Sequence, residues 1–180
     1  MKRRLLVTFI LIGLLAAIPF SRAGAAGAAT QSTSDVTLIL DPPVDPPIVV
    51  GTSTLTRTDS SISFSLSTTR LEPGHAVTIW WMVANPDGGM AVLYAAGHVI
   101  DSSGTAEFGG FLKVGDSEGY EMGDDRSLED ARGATVYLVV RDHGPAKPGI
   151  VEEQIQTFGA CNPEGLQHCT DLQLSVHEPS

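Results

Sequence analysis

Apolar and polar residues alternate with a period of two along much of the chain. Ile62, Phe64 and Leu66 alternate with serines, which predicts a strand with one buried face and one solvated face. Over residues 76–84 both alternating sets are largely apolar, so this strand is predicted to lie in the centre of a sheet. Residues 135–141 form the clearest further strand, and Leu172, Leu174 and Val176 alternate in a closing strand.

Clusters of glycine, proline, aspartate and serine separate these runs and indicate turns. Their spacing predicts an all-β fold, an antiparallel β-sandwich of about seven or eight strands with at most one or two short helical turns. Residues 150–158 fit either a short helix or a strand, and Gly109 with Gly110 suggests a bulge or bend. The absence of alternating strands and helices disfavours a parallel sheet.

The amino terminus has the order of features typical of a secretory signal peptide. Lys2, Arg3 and Arg4 precede an apolar run over residues 5–20, and small residues follow over 23–29. We expect cleavage after Ala25 or Ala28; an uncleaved anchor is the alternative, although the run is slightly short for a membrane span. The predicted organisation is a signal peptide over residues 1–25, a flexible, proline-rich segment with short edge strands over 26–60, and the sandwich domain over 61–180.

The charge balance becomes more acidic when the leader is removed. The whole chain has 11 basic and 21 acidic residues, and four basic residues lie in the leader. The expected net charge after cleavage is therefore 7 − 21 = −14, with neutral histidines. Such a surface repels phosphate backbones and disfavours nucleic acid as a partner. We expect a secreted or periplasmic protein without a stable membrane span, whose partner is an extracellular ligand or protein.

Two cysteines, Cys161 and Cys169, are predicted to form a disulfide because an exported chain meets oxidising conditions. Closing so short a loop stabilises the fold by roughly 2.5 kcal/mol in the chain-entropy model. The alternative is a metal or redox site that combines both cysteines with His168.

Two groups of residues could hold a metal ion. His98 and His143 have the ligand type of a copper or zinc site, in which a neighbouring carboxylate fixes the imidazole tautomer. The acidic stretch over residues 116–130 offers the oxygen ligands that Ca²⁺ prefers, from Asp116, Glu118, Asp124 and Asp125. The simpler hypotheses are histidines bonded to the backbone or to solvent, and a solvated acidic loop.

The adjacent Trp80 and Trp81 should point to opposite faces of one strand. We expect both to be buried; alternatively, an exposed Trp80 with Tyr94 could stack on a sugar ring. The chain has no Gly-x-Ser-x-Gly motif, and no catalytic residue or required cofactor is predicted. The favoured function is a non-enzymatic extracellular or envelope binding module. A metal-binding protein and an unrecognised hydrolase are the alternatives.

Several stretches, including residues 71–81, 95–100, 138–146 and 153–161, resemble a group of secreted bacterial proteins without an established activity. The string His143-Gly144-Pro145-Ala146 is also similar to the His-Gly-Pro-Ala string of CHRD domains, which are β-rich extracellular modules. These resemblances imply a secreted, β-rich domain and imply no activity.

Overall fold

The computed structural model describes residues 27–117, 127–159, 161 and 169–180; the predicted leader lies outside them. The described residues form eight strands and one short helix: β1 (Thr30–Leu38), β2 (Val49–Arg57), β3 (Ser61–Thr68), β4 (His75–Ala84), β5 (Met90–Val99), β6 (Ala106–Lys113), β7 (Thr135–Pro145), α1 (Val151–Gln154) and β8 (Thr170–His177). Within this part of the chain, no helix is long and apolar enough to cross a membrane.

All eight strands belong to one antiparallel sheet with the order β5-β4-β7-β8-β1-β2-β3-β6. The two edge strands, β5 and β6, contact each other, so the sheet nearly closes into a barrel-like shape. The prediction of an all-β antiparallel fold of about seven or eight strands, with at most one or two short helical turns, is confirmed. The central position predicted for β4 is also confirmed, because β5 and β7 pair with its two sides.

The amino-terminal strands lie inside the sheet rather than at its edge, in contrast to the prediction from the sequence. Residues 26–60 were expected to supply flexible chain and short edge strands. Instead, β1 and β2 each have nine residues and a paired neighbour on both sides. The proline-rich residues 41–47 form the exposed connection between them. The residues before Val36 are polar but still pair, from Thr30 opposite Arg57 to Val36 opposite Gly51.

Much of the interior is apolar. Ile79, Trp81 and Val136 lie in this core. The ring of Trp81 packs edge-on against Phe64, with 4.8 Å between the centroids. Gly110 permits this contact, since a Cβ atom there would collide with Phe64 and approach the Trp81 ring. The register of β6 is continuous through both glycines, so of the predicted bulge or bend the bulge is not formed.

A cluster of polar side chains from β1, β2 and β8 is also buried, beside the apolar Val36, Val50 and Leu55 that β1 and β2 add to the core. Ser53 Oγ lies 2.6 Å from Ser175 Oγ and 2.8 Å from His177 Nε2, while Ser32 Oγ lies 2.8 Å from His177 Nδ1. These inward hydroxyls are bonded to one another or to the imidazole, which offsets the cost of burying them. In β8 the polar residues Gln173, Ser175 and His177 are buried, whereas the alternating apolar set is only half-buried.

A second layer covers the outer side of β4. Trp80 is fully buried there, and its ring packs edge-on against Phe158, with 4.9 Å between centroids. The backbone of Ile155 lies so close to Gly97 that a Cβ atom on this glycine would collide with the Ile155 carbonyl oxygen. Residues 146–159, which include α1, therefore pack against the outer face of β4 and β5 as a lid. Of the helix and the strand that the sequence allows for residues 150–158, the short helix α1 is formed.

Candidate functional site

The outer face of β1, β2, β3 and β6 carries hydroxyl side chains in register. Thr33 lies opposite Thr54, Thr54 opposite Ser65, and Ser65 opposite Gly109. Directly opposite residues present their side chains on the same face, about 5 Å apart. The rows on either side are similar: Asp35–Thr52–Ser67–Glu107 and Gln31–Thr56–Ser63–Phe111.

This hydroxyl face contains a shallow groove of about 250 Å³, lined by Thr52, Thr54, Ser65, Leu66, Ser67, Glu107 and Phe108. Gly109 explains why the groove forms here. It has no side chain above Ser65, whereas Glu107 and Phe111 project from the same face of β6 on either side of it. Four residues of antiparallel strand separate those two side chains by about 14 Å. The gap is therefore wide enough for a small ring-shaped ligand.

The hydroxyls in the groove differ from those in the interior by their hydrogen bonds. Ser53 on β2 and Thr68 on β3 point inward and bond to other side chains. Across the described residues, no hydrogen bond involves the side-chain oxygens of Thr52, Thr54, Ser65 or Ser67. Because a hydroxyl both donates and accepts, each of these can make several hydrogen bonds to a ligand. Their backbones are fixed by the sheet, which reduces the entropic cost of binding.

The two side chains that flank Gly109 on this face of β6 differ chemically. Phe111 lies beyond the groove-lining residues, is 58% exposed and offers an apolar ring face to solvent. Glu107 lines the groove on the other side of Gly109 and supplies an exposed carboxylate. The next acidic residue in the same row is Asp35, three strands away and hence about 14 Å distant. This distance exceeds the roughly 5–9.5 Å between the two carboxyl groups of glycoside hydrolases.

A different group lies on the outer side of β7 and β8. Cys161 and Cys169 are at disulfide distance, with 5.1 Å between their Cα atoms, in agreement with the predicted pairing. His143 is buried beside them, and its Nδ1 lies 3.5 Å from Cys169 Sγ. Its Nε2 lies 2.8 Å from Thr78 Oγ1. His168, the third member of the alternative considered from the sequence, lies outside the described residues.

The structure does not bring His98 and His143 together. His98 pairs with Val77 and lies on the core side of the sheet, where its ring stacks on Phe108. His143 contacts Thr78, the next residue along β4, whose side chain points to the opposite face. The shared copper or zinc site expected from the sequence is therefore not assembled, because an intervening sheet separates the two imidazoles.

Of the residues expected to bind Ca²⁺, the structure describes only Asp116. Its carboxylate accepts a hydrogen bond from the Lys113 amide at 2.9 Å and closes a tight turn after β6. Glu118, Asp124 and Asp125 lie outside the described residues. The calcium hypothesis therefore stays a prediction.

The two tryptophans are both buried, as the sequence predicts. Trp80 also packs edge-on against Tyr94, with 5.7 Å between centroids, and burial raises the pKa of the Tyr94 hydroxyl. With no exposed ring face, Trp80 is not available to stack on a sugar. The exposed aromatic ring nearest the groove on β6 belongs to Phe111, which no local sequence pattern distinguishes.

Comparison of the chain with protein-family models, curated proteins and solved structures gives no match. The resemblances to secreted bacterial proteins and to CHRD domains remain predictions. Any functional conclusion must therefore come from the site itself.

Proposed function

We propose that this protein is an exported, non-enzymatic binding module that holds a neutral carbohydrate in the groove above Gly109. The observation that carries the proposal is the set of four outward hydroxyls, on Thr52, Thr54, Ser65 and Ser67, that lack a partner among the described residues. A sugar presents the matching array of donors and acceptors. The predicted leader and the Cys161–Cys169 pair support an extracellular setting.

The remaining contacts narrow the ligand class. Phe111 gives a flat apolar surface on which the C–H face of a sugar ring can pack. Glu107 can accept hydrogen bonds from vicinal hydroxyl groups. The whole chain has a net charge of −10, so polymers with uronate or sulfate groups are repelled. A neutral polysaccharide therefore fits better than a charged one.

The proposal is tested by affinity electrophoresis and calorimetry of the purified, oxidised protein. The neutral panel contains xylan, mannan, β-glucan and soluble cellulose and chitin oligomers; alginate and dextran sulfate are the anionic comparison. We expect retardation by at least one neutral polymer and none by the polyanions. If no neutral polymer retards the protein, the proposal is wrong.

Gly109→Val is the decisive variant. A Cβ atom at this position meets only the Phe64 carbonyl oxygen, at 3.4 Å, so valine fits the strand while it fills the groove. Binding should fall at least tenfold with an unchanged melting temperature. Gly159→Val is the matched control, because a Cβ atom there has no described neighbour within 4 Å and the groove is far away in sequence and on another face. Unchanged binding by Gly109→Val would place the ligand elsewhere.

Phe111→Ala tests the stacking surface. Loss of one aromatic contact of about 0.5–1.5 kcal/mol should weaken binding roughly two- to tenfold. Val99→Ala removes an exposed apolar side chain from β5 instead, and should leave affinity unchanged.

A further inference from the structure

A histidine and two cysteines meet beneath the carboxyl-terminal end of the lid. The ligand atoms of His143, Cys161 and Cys169 all lie within 4.8 Å of one another. While the sulfurs are bonded to each other, neither is the thiolate that soft metal ions bind. The disulfide therefore masks a ligand set that the fold holds together.

We propose that reduction of the Cys161–Cys169 disulfide converts this group into a three-ligand site for Zn²⁺ or another thiophilic divalent ion. An external dithiol supplies two electrons and two protons. The S–S bond breaks to give two thiols, and the dithiol becomes a cyclic disulfide. Binding of the metal ion then releases both thiol protons.

The distances match tetrahedral coordination. Zinc binds sulfur at about 2.3 Å and histidine nitrogen at about 2.0–2.1 Å, so a tetrahedral angle separates the nitrogen and sulfur by about 3.5 Å. His143 Nδ1 already lies 3.5 Å from Cys169 Sγ. The same angle places two sulfurs about 3.8 Å apart. With Cα atoms 5.1 Å apart, the released side chains can reach this separation by rotation about χ1.

Thr78 orients the imidazole for this role. Trp80 Nε1 donates a hydrogen bond to Thr78 Oγ1 at 2.7 Å, and His143 Nε2 lies 2.8 Å from the same oxygen. The oxygen has a second lone pair and can accept the Nε2 proton of His143. That tautomer leaves the Nδ1 lone pair directed at the sulfurs, as a metal ligand requires.

The site would have three protein ligands and thus an open fourth position, which is the arrangement that leaves room for water or a substrate group. His143 is buried, whereas both cysteines are half-buried and can be reached by a small reductant and a hydrated ion. This site is separate from the hydroxyl groove, so its test is independent of the carbohydrate proposal.

Cobalt spectroscopy of the full folded domain tests the proposal. The protein is reduced with dithiothreitol, transferred without oxygen into buffer lacking thiol, and titrated with Co²⁺. We expect thiolate-to-cobalt absorption and tetrahedral visible bands that saturate at one equivalent, bleach when Zn²⁺ is added and do not appear in oxidised protein. Reduced protein without these bands contradicts the proposal. So does reduced protein that has lost its β-sheet circular-dichroism spectrum, because the fold then does not hold the ligands.

Three variants separate a built site from simple thiol binding. His143→Gln should weaken cobalt binding at least tenfold and shift the visible bands, since one ligand is lost. Thr78→Val should weaken it about tenfold through loss of imidazole orientation. His98→Gln, on the opposite face of the sheet, should bind like the unaltered chain. Equal spectra and affinity for His143→Gln and His98→Gln would overturn the assignment.

Discussion

The imidazole of His98 stacks on the ring of Phe108, with 4.6 Å between the centroids and 21° between the planes. His98 belongs to β5 and Phe108 to β6, the two edge strands of the sheet. These strands are not neighbours in the hydrogen-bonded order, so side-chain packing must hold the seam where the sheet nearly closes. The histidine predicted as a metal ligand thus has a packing role.

Truncation of either ring should open this seam. Phe108 is 5% exposed, so Phe108→Ala should lower the free energy of unfolding by about 3–5 kcal/mol. His98→Ala should cost about 1 kcal/mol, and His98→Phe should restore most of that loss. Urea unfolding measures all three. Hydrogen exchange should increase first in β5 and β6; protection that stays unchanged in both strands would show that the stacked rings do not hold the seam.

Two arginines provide a matched test of buried against exposed hydrogen bonds. Arg57 is 1% exposed and donates to the carbonyl oxygens of Ala131, Ala134, His177 and Glu178, at 2.7–3.1 Å. Burial lowers the pKa of its guanidinium. Arg57→Met should cost at least about 3 kcal/mol, because several carbonyl groups lose their partner in the interior.

Arg132 is the control for this comparison. Its Nε donates to Asp59 at 2.6 Å in an ion pair whose carboxylate is largely exposed. Arg132→Gln should therefore cost less than about 1 kcal/mol. Chemical unfolding distinguishes the two arginines, and similar losses for both variants would contradict the role given to Arg57. Amide hydrogen exchange near the carboxyl terminus, at His177 and Glu178, should become faster in Arg57→Met and not in Arg132→Gln.

The strands with an apolar inner face could be predicted from the sequence, whereas the buried polar cluster of β1, β2 and β8 could not. The alternation around Ile62, Phe64 and Leu66 has one physical interpretation, because apolar residues gain from burial. In β8 the same rule would bury Leu172, Leu174 and Val176, whereas the structure buries the alternating polar residues. His177 and Ser175 are buried because they bond to Ser53 from β2, a contact between residues more than 120 positions apart.

The candidate sites could not be predicted from the sequence, because local patterns do not specify the register between strands. Alternating threonines over residues 52–56 and serines over 61–67 are visible in the sequence, and the serines were predicted to face solvent. Only the pairing of Thr54 with Ser65, and of Ser65 with Gly109, turns them into one groove. Similarly, His143 meets the cysteines because the chain reverses through the lid.

The lid should shield Trp80 through a single aromatic side chain. Phe158 packs against the Trp80 ring, and the Arg141 guanidinium lies 3.8 Å above the centre of the Phe158 ring. Phe158→Ala should cost about 2–4 kcal/mol and expose one tryptophan. The tryptophan emission of Phe158→Ala should shift to longer wavelength. Iodide should then quench the emission of one of the two tryptophans. Trp81, packed on Phe64 in the core, supplies the protected half of the signal; no change in quenching would contradict the shielding role.

Acid should destabilise the fold through His177. Burial, and secondarily the charge of Arg57, lowers the pKa of this imidazole from 6.5 to about 4. Between these values the unfolded chain binds a proton that the folded chain does not, so the free energy of unfolding falls as pH falls from 6.5 to 4. The loss amounts to about 3 kcal/mol once both pKa values are passed. Above pH 6.5 the residue contributes no pH dependence.

Comparison with His177→Asn isolates this contribution, because asparagine is polar and does not titrate. Other groups that titrate over this range are common to both proteins and cancel in the difference. The variant should be less stable at pH 7, since it loses hydrogen bonds to Ser32 and Ser53. The difference in the free energy of unfolding should shrink toward pH 4, because the unaltered protein loses stability through protonation of His177 and the variant does not. Parallel stability profiles, measured by urea unfolding from pH 7 to pH 4, would mean that the imidazole is accessible to protons in the folded state at its ordinary pKa.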